Sequence, residues 1–308
     1  MKFVISGATG FIGTALTQAL LARGDQVVAL SRNTEKARKR LGPRVECLEW
    51  QPPALGPWTE ALNGADGVVN LAGEPVANKR WTEQQKQRLL ASRVDSTRAL
   101  AEAIRAAATQ GVPGPRVLVN QSAVGYYGSP GDTPVTESSP PGDDFLARLV
   151  QEWEAATQPV AELGVRLVIL RTGIVLGKGG ALAPMVLAFR YFVGGTMGEP
   201  DQWVSWIHLQ DEIELIIRAL TDDTMHGVYN ATAPNPVTMR ELSRQIGQAL
   251  GRPAWVPFYG KIMRIALGKE RGPAVLASQR ALPKAAEGAG YRFHHPESGE
   301  ALQSILSG

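Results

Sequence analysis

The chain has 308 residues, 44% hydrophobic and 20% charged, which is the balance of an ordinary soluble globular protein with room for one large or two joined domains. A net charge of +3 gives no ground for nucleic acid or an anionic membrane as partner, and the single cysteine, Cys47, excludes an intramolecular disulfide and suits a reducing compartment. No apolar run approaches the roughly 18 residues that span a bilayer, and the N-terminus lacks the pattern of a secretory signal, so a cytoplasmic protein without a metal site is expected.

Phe3 to Ile5 is a short β-branched run that stops at a glycine and predicts a buried strand. Gly7, Gly10 and Gly13 follow at a spacing of three, and a helical pattern begins at Thr14. Strand, glycine turn and helix make a dinucleotide-binding unit in physical terms. Gly7 permits the tight turn, Gly10 admits a pyrophosphate, and Gly13 lets helix and strand pack closely. A glycine triplet alone also marks a purely structural turn; its place between strand and helix favours the cofactor.

Asp25 to Leu30 predicts the second strand, which ends in Ser31-Arg32 with no carboxylate. An acidic residue at this point bonds the ribose diol of NAD(H), whereas a basic one accommodates a 2′-phosphate. The planar fork of Arg32 with the Ser31 hydroxyl therefore favours NADP(H), the alternative being a solvated charge at a strand end. A third strand is predicted over Arg44–Leu48. A fourth leads into Asn70-Leu71-Ala72-Gly73, where small residues let backbone pass close to a cofactor. Residues 82–108 read as a long helix carrying Arg88 and Arg93, which either direct anions toward the cleft or face solvent.

Arg116 to Ser122 predicts a fifth strand running into Tyr126-Tyr127-Gly128, then a Pro/Gly-rich loop to about Gly142. Asp143 or Asp144 is placed to cap the helix bearing Trp153 and Glu154. A sixth strand, Val165 to Leu170, closes with Arg171 to Gly177. Six strand-like runs alternating with helices predict an α/β fold, a Rossmann-type doubly wound parallel sheet whose strand ends share one cleft. Residues 1–177 are read as the cofactor domain, which can recruit later strands, and 178–308 as a smaller substrate-side lobe. In the lobe fall a glycine-rich segment over 194–198, Trp203 to His208, a helix over 211–220, a strand over 227–230 and a helix that Thr238 and Glu241 begin as a capping box.

These landmarks, from Thr9 between the glycines to Trp206-Ile207-His208-Leu209-Gln210-Asp211, resemble the extended short-chain dehydrogenase/reductase superfamily along nearly the whole chain. Asn70 to Pro75, Lys79-Arg80-Trp81, Tyr126-Tyr127-Gly128 and Gln279 to Lys284 are similar to its sugar-nucleotide-epimerase-like subfamily, some members of which carry the name cell-division inhibitor. The resemblance implies an NADP(H) site of Gly7, Thr9, Gly10, Phe11, Ile12, Gly13, Ser31, Arg32, Leu71, Ala72 and Gly73. It adds Val175 near the nicotinamide and Arg93 toward the pyrophosphate or ribose. It also brings the expectation of a homodimer or another protein partner.

The superfamily's chemistry rests on a tyrosine with a lysine four residues later, and on a serine of the preceding strand. Here Phe145 and Leu149 fall at the first two places, and neither can donate or tune a proton. Ser122 with Tyr126 or Tyr127 is the remaining candidate catalytic set. Two readings follow: an NADP(H)-dependent oxidoreductase or epimerase acting on a small hydroxylated molecule, and a non-catalytic NADP(H)-binding regulator. His208 reads as a hydrogen-bonded structural histidine rather than an acid or base.

Overall fold

A computed structural model describes residues 1–76, 79–109, 111–196, 198–254 and 277–307. Met197, in the glycine-rich segment read above, lies outside them. The order is β1 Lys2–Ser6, α1 Phe11–Ala22, β2 Gln26–Ser31, α2 Thr34–Leu41, β3 Glu46–Glu49, β4 Gly67–Asn70, α3 Glu83–Thr109 and β5 Val117–Ala123. It continues with β6 Pro134–Val135, α4 Phe145–Ala155, α5 Gln158–Ala161, β7 Arg166–Thr172, β8 Ile174–Leu176, α6 Leu182–Arg190, β9 Trp203–Val204, β10 Trp206–His208 and α7 Leu209–Thr221. The last elements are β11 Gly227–Ala231, β12 Val237–Thr238, α8 Met239–Leu250, β13 Arg280–Ala281, α9 Lys284–Gly288 and α10 Ser298–Leu306.

Seven of the strands form one parallel sheet in the order β11-β7-β5-β4-β1-β2-β3. Helices cover both faces, which is why Phe3, Val4 and Ile5 are all fully buried and the run shows no alternation. Leu16 and Leu20 of α1 and Leu215 and Ile216 of α7 cover one face, while Leu100 and Ile104 of α3 cover the other with Trp58 and Leu62. The order reverses between β1 and β4, and ligands bind at such a reversal, outside the carboxyl ends of the strands.

In this sheet β11 pairs with β7, Gly227 opposite Val168. The sheet therefore draws on residues beyond 178, as a doubly wound sheet with a free edge beside β7 permits. A separate core holds Leu182 and Phe189 of α6, Trp206, Leu242 and Ile246 of α8, and Leu302 of α10. Asp144 is the residue that caps α4, accepting from the Ala147 N–H at 2.8 Å. Thr238 caps α8, but Glu241 does not return the bond; its carboxylate is drawn to Arg244 and Gln245 one turn on. Among the described residues no helix is long and apolar enough to cross a membrane, and no three His, Cys, Asp or Glu side chains cluster to hold a metal.

Candidate active site

Gly7 has φ +69°, and a Cβ there would lie 2.6 Å from the Leu71 carbonyl oxygen. A Cβ on Gly13 would lie 2.3 Å from the Gly7 oxygen. These two positions thus admit only glycine, one to turn the chain under β4 and one to press α1 against the turn. Gly10 begins α1 with no side-chain cap, so the first N–H groups of this 12-residue helix are left for an anion. Ser6 Oγ donates to Asn70 Oδ1 at 2.6 Å, and Asn70 Nδ2 donates to Thr97 and Asn120, which locks the ends of β1, β4 and β5 in register with α3.

A cleft of about 870 Å³ opens over these strand ends. Gly7, Thr9, Gly10, Ser31 and Arg32 line it, and Leu71, Ala72 and Gly73 form the facing wall. The sequence reading missed Lys36 and Arg40 of α2, which share this cleft with Arg32. Their i, i+4 spacing on one helix face was the available signal. Arg40 is held beside α1 by donating to Thr14 Oγ1 at 3.1 Å. Ser31 Oγ closes the turn into α2, donating to the Asn33 carbonyl and accepting from its N–H. The glycine cradle, the open helix start and three cations at the end of β2 fit a dinucleotide bearing a 2′-phosphate.

The other expected cofactor residues stand differently. Phe11 turns its ring into a socket of Gly177, Gly179 and Gly180, where a Cβ would lie 2.8 to 3.0 Å from ring atoms. Ile12 packs on the core, as does Val175, which pairs with Ile207. Of the two arginines on α3, Arg88 lines the cleft and Arg93 stands behind Gly73, 5.2 Å from the Trp153 ring. Arg93 donates to the Leu89 carbonyl, and burial lowers its pKa to about 10 against the pull of Glu74.

The serine and tyrosines sit around one buried ion pair. Ser122 Oγ donates to Glu154 Oε1 at 2.6 Å, and Arg171 donates from Nε and Nη2 to the two oxygens of the same carboxylate. Tyr127 donates to Asn230 Oδ1 at 2.7 Å and accepts from Arg171 Nη1 at 3.1 Å. Burial raises the Tyr127 pKa against the pull of Arg171 and Asn230. Burial alone would lower the Arg171 guanidinium, but Glu154 outweighs it and holds the pKa above its ordinary value. Tyr126 is half-buried with the Arg171 guanidinium 3.3 Å from its ring centre, and among the described residues its hydroxyl has no hydrogen-bond partner. The Ser122 and Tyr127 hydroxyls are thus committed inside the protein, and Tyr126 holds the uncommitted phenol.

Helix α4, FLARLVQEWEA, contains neither tyrosine nor lysine. Phe145 stacks edge-on to Trp81 at 5.2 Å, and Leu149 is buried beside it. His208 caps α7 by accepting from the Gln210 N–H at 3.1 Å and lies 3.8 Å from the His295 ring. Burial, then the charge of His295, lowers its pKa to about 4, so it is neutral near pH 7. The Glu154–Arg171 pair was beyond sequence reading because its partners lie 17 residues apart on a helix and a strand that meet only in the folded sheet.

The model of the NAD dependent epimerase/dehydratase family matches residues 3–231, and a domain of unknown function matches 260–305. The human epimerase family protein SDR39U1 is 36% identical over 311 residues, spanning all of both chains. The chloroplastic homologue of Arabidopsis thaliana is 38% identical, covering 99% of this chain and 87% of its own. A crystal structure of the human protein with NADPH superposes with a TM-score of 0.89 over 100% of this chain and 99% of that one. A nucleoside-diphosphate sugar epimerase from Corynebacterium glutamicum is 32% identical with a TM-score of 0.76, covering 99% of this chain and 58% of that one. With its sheet, its glycine turn and more than half its length matched, this chain belongs to the NAD dependent epimerase/dehydratase family.

Proposed function

We propose that the chain is an NADP(H)-dependent oxidoreductase or epimerase acting on a small hydroxylated or carbonyl-bearing molecule, with Tyr126 as its proton-transferring group. The observation that carries the cofactor is the trio Arg32, Lys36 and Arg40 in the cleft that the glycine turn floors, where a 2′-phosphate finds cations and β2 ends in Ser31-Arg32 and not in a carboxylate. The NADPH of the human structure supports the same choice. When bound, NADP(H) supplies or removes hydride. The uncapped start of α1 and the backbone at Gly7 and Gly10 hold its pyrophosphate. Tyr126 gives or takes the substrate's proton through the hydroxyl that no described residue occupies. Ser122 and Tyr127 act as positioning residues, fixing the turn that carries Tyr126.

The test is transfer of deuterium from 4-deuterated NADPH to a panel of aldehydes, ketones and nucleotide sugars, followed by mass spectrometry. A substrate found this way should lose turnover by 100-fold or more in Tyr126→Phe, with NADPH affinity unchanged. Undiminished turnover in that variant would remove Tyr126 from the chemistry.

A second reading, a non-catalytic NADP(H)-binding regulator, is favoured by the α4 sequence and by the committed hydroxyls of Ser122 and Tyr127. Tight NADPH binding with no deuterium transferred to any member of the panel would select it.

A further inference from the structure

Two carboxylates line the cofactor cleft, Glu74 and Asp95, and they stand differently. Glu74 Oε1 accepts from Lys79 at 2.9 Å and from Gln85 at 3.2 Å. Asp95 is half-buried and, among the described residues, makes no hydrogen bond or ion pair. A carboxylate can only accept, and a bare one in a cleft that receives a polyanion opposes binding unless a donor of the incoming molecule meets it.

The surroundings of Asp95 say which part of that molecule it meets. Arg88, Ala91, Ser92 and Asp95 stand at i, i+3, i+4 and i+7 of α3, so a single helix face looks into the cleft. One turn on, Ala99 and Leu100 pack in the same core as Trp50, which with Gln51 and Pro52 makes the cleft wall beyond β3. The Trp50 backbone N–H donates to the Ser31 carbonyl at 3.0 Å and ties that wall to the strand end carrying Arg32. Asp95 therefore belongs to the half of the cleft that holds Arg32, Lys36 and Arg40, which is the adenosine half of a dinucleotide whose 2′-phosphate meets those cations.

We propose that Asp95 reads the base of NADP(H), its carboxylate accepting from the exocyclic amino group of adenine. This rests on the NADP(H) reading above and adds a specificity residue to it. The phosphate already occupies the 2′-oxygen of the ribose, and the amino group is the donor that distinguishes adenine from other purines. A purine with a carbonyl oxygen at that place sets acceptor against acceptor and is rejected, so the same carboxylate selects for one base and against another.

The experiment is titration, by quenching of tryptophan fluorescence, with NADPH and with its hypoxanthine analogue, in which a carbonyl oxygen replaces the amino group. The wild type should bind NADPH at least about tenfold more tightly than the analogue, as loss of a hydrogen bond to a charged group implies. Asp95→Asn keeps the shape and offers both a donor and an acceptor, so it should bind the analogue more tightly than the wild type does and reduce the preference at least fivefold. Asp95→Ala, which offers neither, should bind the two alike, and it carries the test should the asparagine variant fail to fold. The proposal is overturned if the wild type binds both molecules equally, or if the variants keep its preference, which would give the base to Gln51. It is equally overturned if they weaken NADH more than NADPH with the base preference intact, which would place Asp95 on the ribose. Failure of the wild type to bind NADPH at all would instead overturn the cofactor reading.

Discussion

Glu154 holds Arg171 through both carboxylate oxygens, each 2.8 Å from a guanidinium nitrogen, and the pair is almost wholly out of water. It joins α4 to β7 and orients the Ser122 and Tyr127 hydroxyls at once. Removing one partner of a buried pair strands the other charge, which costs about 3–5 kcal/mol. Glu154→Ala should therefore lower the urea-unfolding free energy by about that amount, and Glu154→Ala with Arg171→Met together should lose less than Glu154→Ala alone. A double variant as unstable as the sum of the singles would mean the two residues act independently.

The three cations at the end of β2 make cofactor preference a quantity that mutation can shift. Arg32→Ala should weaken NADPH at least tenfold, about 1.4 kcal/mol, and leave NADH within twofold, because only NADPH carries the 2′-phosphate. Adding Lys36→Ala should narrow the preference further. Quenching of tryptophan fluorescence on titration provides the measurement, and equal weakening of both cofactors would show that Arg32 serves the fold instead.

Glu212 of α7 is fully buried against β5 and β7, accepting from Gln121 Nε2 and Thr172 Oγ1, and its second oxygen has no partner in the described structure. Burial pushes its pKa up to about 7, against the pull of Gln121 and Thr172. A carboxyl whose folded pKa is raised binds its proton more tightly in the native state. Its stabilisation is present in full below the ordinary value of 4.5 and is lost as pH rises through about 7. The loss amounts to about 3 kcal/mol between pH 4.5 and pH 8. Glu212→Gln should flatten that slope and raise the unfolding midpoint at pH 8. A variant with the same pH slope as the wild type would assign the dependence to other groups.

The residues legible in sequence are those whose role follows from local spacing. Gly7, Gly10 and Gly13 declare a strand-turn-helix unit, Ser31-Arg32 declares its cofactor, and Asp144 and Thr238 declare helix starts, because each acts on backbone within a few residues. What depended on distant meetings was not legible. Ser122 reads in sequence as a candidate catalytic serine with no sign of Glu154 against it, and Tyr126 and Tyr127 read as equals until Asn230 and Arg171 take one of them. Phe11 belongs to the cofactor set that the family resemblance implies, and its seating against Gly177, Gly179 and Gly180, more than 160 residues later, was not legible.

That ring links the phosphate-facing turn to the segment entering α6. A Cβ at Gly177 would lie 2.8 Å from Phe11 Cζ, closer than real side chains approach, with Leu209 blocking retreat at 3.2 Å. Gly177→Ala should accordingly destabilise the fold by about 1–3 kcal/mol, the usual cost of overpacking. It should also weaken NADPH, because the displaced ring moves the first residue of α1 beneath the pyrophosphate. Phe11→Leu removes the clashing atoms, so the double variant should recover at least half of both losses. Urea unfolding and fluorescence titration on the four proteins complete the cycle. Losses that add without recovery would show that Gly177 is constrained by Leu209 and not by Phe11.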